Sequence, residues 1–172
     1  MAAGLPDLVD CARLAEEEAV LHREYELEAL ARLRDMLAEP RGTLQASFAF
    51  AKSASGRPGV QVKIETLAQL LCQRCLQGFG CRVNAASELE FAAAESADPD
   101  TERELYLAPN GRVSLKDLAE EELLLALPMA PACDAPLTCG NAPGYVTDER
   151  GARPAVGTRR PFSGLKDLLK KT

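Results

Sequence analysis

Tryptophan is absent from this chain of 172 residues, and aromatic residues together make up only 5%. Hydrophobic residues still reach 47%, so aliphatic side chains must fill the core. There is one histidine, His22, and any Ser-His-Asp or Cys-His device would have to use it. His22 lies far in sequence from every cysteine pair and is expected at the surface or partly buried, not as a base. No phosphate loop, dinucleotide fingerprint or HExxH segment is present. The carboxylates are scattered through polar loops. These absences leave no catalytic apparatus, and the chain is expected to be non-enzymatic. No apolar run approaches the ~20 residues that span a bilayer. Met1 to Leu8 has neither a basic start nor a long apolar stretch, so no secretory signal and a reducing cytoplasm are expected.

The net charge is −6, unevenly spread. Residues 150–172 hold seven basic residues and one acidic one, a net +6, and the other 149 residues carry −12. The expected organisation is a single domain over 1–149 and a basic, partly flexible tail over 150–172. The tail attracts phosphate and the body repels it. If RNA is touched, Arg159, Arg160, Lys166, Lys170 and Lys171 are the residues expected to touch it. The plainer reading is a solvated tail.

Hydrophobic spacing supplies the elements. Val20 to Leu27 reads weakly as a strand. Leu27, Leu30, Leu33, Met36 and Leu37 have helical spacing, so a helix is predicted over Glu26 to Ala38, stopped by Pro40. Three segments then alternate with period two: Leu44 to Phe50, Val60 to Ile64, and Val83 to Phe91. Such alternation predicts an antiparallel sheet with one buried face. Glu95 to Glu104 reads as an acidic loop, Glu104 to Leu107 as a short strand, and Asn110-Gly111 as a turn. Ser114 with Asp117 resembles a capping box that opens a helix closed by Pro128. Its run Glu120, Glu121, Glu122 reads either as a solvated face or as a docking patch for a basic partner. The predicted class is α+β: an antiparallel sheet of four to six strands, two or more packed helices and a pair of Cys-rich loops.

The six cysteines are Cys11, Cys72, Cys75, Cys81, Cys133 and Cys139. Cys72-Gln73-Arg74-Cys75 is a C-x-x-C between two predicted strands. On a tight loop both sulfurs can face one ion, and loop N–H groups can offset the thiolate charge. Cys133 and Cys139 follow the second helix in a Pro/Ala-rich stretch. Four thiolates from two loops make a closed tetrahedral set, the usual arrangement for structural zinc. Cys81 is an alternative fourth ligand, and reduced cysteines acting as small core residues remain open. A thioredoxin-type C-x-x-C opens a helix, whereas this one runs into a strand, which weakens a redox reading.

Several of these segments are similar to a known family. Leu71 to Val83, LCQRCLQGFGCRV, resembles the CQRC-L-x-x-F signature of the YceD family. Gly111 to Pro131, GRVSLKDLAEEELLLALPMAP, resembles its second block, and Arg160 to Lys171, RPFSGLKDLLKK, resembles its C-terminal block. Cys133 and Cys139 fall where the family tends to place His or Cys and then Cys. Exchange of thiol for imidazole suits a metal role better than a packing role. Residues 1–55 match only in layout, so the resemblance says little about Cys11 or His22. It implies a bacterial accessory protein that supports accumulation of large-subunit (23S) ribosomal RNA, hence ribosome biogenesis. It supplies no mechanism. The implied partners are ribosomal RNA or a basic ribosomal or assembly protein. The alternatives are a redox- or zinc-responsive regulator of ribosome synthesis and, less favoured by these residues, an RNA-processing enzyme.

Overall fold

The alternating segments pair as the pattern requires. The structure, a computed structural model, describes residues 7–92, 104–134 and 139, all within the compact unit Met1–Ala142. Strands β2 (Val20–Glu26), β3 (Thr43–Lys52), β4 (Pro58–Leu71) and β5 (Gly78–Ala92) form an antiparallel meander. Strand β6 (Glu104–Leu107) runs parallel to β5, giving a five-stranded sheet in the order β2-β3-β4-β5-β6. Two short strands, β1 (Leu8–Asp10) and β7 (Arg112–Ser114), make a separate antiparallel pair. The class is α+β with a mostly antiparallel sheet, as the patterning predicts.

One face of the sheet is apolar. Leu44, Ala46, Phe48 and Phe50 of β3 and Val60, Val62 and Ile64 of β4 are buried. Helices α1 (Cys11–Glu16) and α3 (Leu115–Ala126) contribute Cys11, Leu115, Leu118 and Leu123 to the same core. Each fully buried Leu, Val or Phe contributes about 1.5–3 kcal/mol. The other face carries exposed His22, Glu24, Lys63 and Glu65. Asp10 caps α1 by accepting the Arg13 N–H at 3.0 Å, and Ser114 caps α3 by accepting the Asp117 N–H at 3.2 Å. The predicted turn at Asn110-Gly111 is present, with both residues at positive φ (57° and 70°).

All three alternating strands prove longer than their predicted segments. In β4 the burial alternates on through Thr66, Ala68 and Leu70, while Leu67 and Leu71 on the other side are exposed. Those exposed leucines hide the period-two signal in sequence. The pairing Leu71↔Gly78 closes the hairpin, so the C-x-x-C occupies its six-residue tip.

The helix predicted over Glu26–Ala38 is not formed. Glu26 ends β2, Leu27–Ala29 is a 3₁₀ turn, Leu30 is extended (φ −88°, ψ 99°), and α2 covers only Ala31–Arg34. Leu27, Leu30 and Leu33 are all fully buried, so the leucine spacing does serve the core. The break is stabilised from outside: the backbone N–H groups of Arg32 and Leu33 donate to the Glu120 carboxylate on α3. A tertiary acceptor thus replaces the helical carbonyls. At the other end of α3, Asp7 accepts from the Lys116 N–H (3.2 Å) and the Tyr25 hydroxyl (2.8 Å).

Candidate metal centre

The β4–β5 tip is a tight loop. The Cys72 N–H donates to the Gln77 carbonyl and the Leu76 N–H to the Cys72 carbonyl, both at 2.9 Å. Leu76 sits at φ 58°, a left-handed conformation that costs on the order of 1 kcal/mol for such a side chain. After α3, Pro128 stops the helix and the chain runs past this tip. The Gln73 N–H donates to the Pro131 carbonyl at 2.8 Å, and the Arg74 guanidinium donates to the Cys133 carbonyl. The Cys133 N–H points at the Cys72 Sγ, 3.4 Å away.

These contacts gather four thiols. The sulfurs of Cys72, Cys75, Cys133 and Cys139 all lie within 4.8 Å of one another. Cys72 and Cys139 stand 3.6 Å apart, and Cys75 and Cys133 stand 3.8 Å apart. Four sulfurs bound tetrahedrally at ~2.3 Å from one ion stand ~3.8 Å apart, so the spacing fits a common divalent ion. A disulfide needs ~2.05 Å, and all six cysteines are free. Cys72, Cys75 and Cys139 are buried, and Cys133 is half-buried.

The thiols differ in acidity. Cys72 is lowered to about 5, first by the Cys133 backbone N–H and then by that of Cys75. Cys139 is pushed up to about 12 by its hydrogen bond with Cys133 and by burial. For Cys75 the Gln77 backbone N–H works downward, but burial and the thiols of Cys72 and Cys133 outweigh it and its pKa rises. Without an ion the cluster therefore gathers its negative charge at Cys72. The sulfurs raise the Arg74 pKa, Cys139 first, then Cys72 through a hydrogen bond and its charge, then Cys133. Four thiolates around a divalent ion carry a net −2, which this guanidinium partly offsets. The four residues could hold a soft or borderline ion in a closed site.

The remaining residues singled out in sequence fall elsewhere. Cys81 packs against the main core, apart from the four thiols. Cys11 is buried in that core, and burial pushes its thiol up to about 11, as suits a packing residue. His22 is exposed and borders an open hollow of about 530 Å³ on the polar sheet face with Ser47, Lys63 and Asn84. The run Glu120, Glu121, Glu122 does not present one acidic face. Glu120 is 6% exposed and engaged with α2, Glu122 is 7% exposed, and Glu121 is half-buried. Burial raises the pKa of Glu122. Glu122 stands seven residues after Leu115 and four after Leu118, so helical spacing already assigns it to the apolar side. Arg74 was not singled out, although a cation inside a C-x-x-C was the available signal. Arg159, Arg160, Lys166, Lys170 and Lys171 lie outside the described residues. Among those described, no helix is long and apolar enough to cross a membrane.

The family model described as "Large ribosomal RNA subunit accumulation protein YceD" matches residues 60–169. That span is more than half of the chain and includes all four cysteines and α3. No curated protein and no solved structure matches the chain.

Proposed function

The chain belongs to the YceD family of large ribosomal RNA subunit accumulation proteins, and from that we propose that it is a cytoplasmic, non-enzymatic accessory factor of ribosome biogenesis. It supports accumulation of large-subunit ribosomal RNA as a binding module. The single observation that carries this reading is the family match, which runs from β4 through the thiol cluster and α3 into the basic tail.

The resident ion is zinc. Four sulfurs from two loops, at tetrahedral spacing and with no open position, favour a structural ion over a reactive one. Cys72, Cys75, Cys133 and Cys139 hold it. The chain's contact with RNA is through the tail residues Arg159, Arg160, Lys166, Lys170 and Lys171, whose charge suits phosphate. Of the acidic run on α3, Glu121 is the least buried member and the one to meet a basic ribosomal or assembly protein, giving up its hydrogen bond with Tyr106 to do so.

The test is deletion of the gene in its source organism. Lysates are sedimented and large-subunit RNA is quantified. A selective deficit of the large subunit is expected. A normal profile, under slow or cold growth as well, sinks the proposal.

A further inference from the structure

The thiol cluster is set apart from the core. Cys72, Cys75 and Cys139 pack with Phe79 and Cys133 in a group of their own, while the main core is built on β3, β4, β5 and α3. Residues Met129–Asp134 form no helix or strand, and Met129 is fully exposed. Apart from an ion and the thiol pairs themselves, three hydrogen bonds among the described residues tie this stretch to the β4–β5 tip. Pro131 accepts from Gln73, Cys133 accepts from Arg74, and the Cys133 N–H points at the Cys72 Sγ. Gln73 and Arg74 are both exposed, so water competes for the first two bonds. The tip itself needs no ion: it closes a hairpin paired in unbroken register from Gly59↔Glu90 to Leu71↔Gly78.

We infer that the metal centre is a latch. The bound ion fastens the stretch after α3, Met129 to Asp134 with Cys139, against the hairpin tip. The sheet and α3 keep their fold whether the latch is closed or open. Closing it also assembles a groove of about 300 Å³, one wall from Met36, Leu70 and Leu71 and the other from Leu127, Met129 and Pro131. Arg74 is a positioning residue in this device, holding the Cys133 carbonyl and facing the thiolate charge. The latch rests on the zinc reading above and is independent of the ribosomal role.

The experiment is amide hydrogen exchange on the full chain, first with zinc bound and verified by metal analysis, then after removal by a chelator. The Gln73 and Cys133 amides are expected to exchange roughly tenfold faster or more once the ion is gone. The amides of β3 and β4 are expected to keep their rates. Cys139→Ser should reproduce the open pattern in the presence of zinc. Should that variant fail to fold, the latch is overturned, because the open form is then not a folded one. Unchanged exchange at Gln73 and Cys133 after chelation overturns it too, as does equal acceleration throughout β3 and β4. A chain that takes up no zinc overturns both latch and zinc while leaving the ribosomal role standing.

Discussion

Glu120 on α3 accepts the backbone N–H of Leu33 at 3.0 Å, and the same oxygen takes that of Arg32 at 2.7 Å. One carboxylate thereby closes a helical turn that its own segment leaves open. It also fixes α2 against α3 beneath the sheet.

Glu120→Ala is therefore expected to destabilise the protein by on the order of 2–3 kcal/mol, because one buried and one partly buried N–H group lose their carboxylate acceptor. Glu120→Gln keeps one oxygen and should fall between. Urea unfolding measures both. An alanine variant within about 0.5 kcal/mol of the parent, the range of ordinary surface changes, would falsify the capping role.

Zinc affinity should rise steeply with pH. Binding requires thiolates, and Cys75 and Cys139 hold their protons well above neutrality, whereas Cys72 at about 5 is already ionised at pH 7. The two protons released at these thiols alone predict a gain of at least about 100-fold per pH unit between pH 6 and 8. Chelator competition across that range measures it, and Cys72→Ser should abolish tight binding. A flat profile contradicts the four-thiolate site.

Oxidation tests the geometry of the metal-free cluster. Hydrogen peroxide takes two electrons from the Cys72 thiolate, leaving a sulfenic acid, and the Cys139 thiol then displaces water to form a disulfide. Cys75 and Cys133 react likewise. Both short pairs cross from the hairpin tip to the stretch after α3. Peptide mapping should recover Cys72–Cys139 and Cys75–Cys133. Recovery of Cys72–Cys75 as the main product is the contrary result, and it would favour a sensor in which oxidation frees the stretch.

The sheet was legible because β3 and most of β4 bury alternate residues. Leu44 to Phe50 and Val60 to Ile64 alternate cleanly, and Ser114 and Pro128 bracket α3 in sequence. The four thiols were legible as residue types, and their convergence only as a consequence of two loops meeting. Leu27, Leu30 and Leu33 misled because spacing by three suits a helix and a 3₁₀ turn alike. The choice between them rests on Glu120, 87 residues beyond Leu33. The short α1 and β1 lack periodicity in so few residues, and β6 was legible as a strand over Glu104 to Leu107 but not in its parallel pairing with β5.

The connectivity of the hairpin and its partners also sets an order in time. Strands β2 to β5 come from one continuous stretch, residues 20–92, so the meander can pair while the rest is still being translated. Cys75 precedes Cys133 by 58 residues. At ~5–20 residues per second, the C-x-x-C is made about 3–12 s before its first partner thiol. Each new copy of the chain thus passes through an interval with half a metal site, when zinc or an oxidant meets two thiols in place of four.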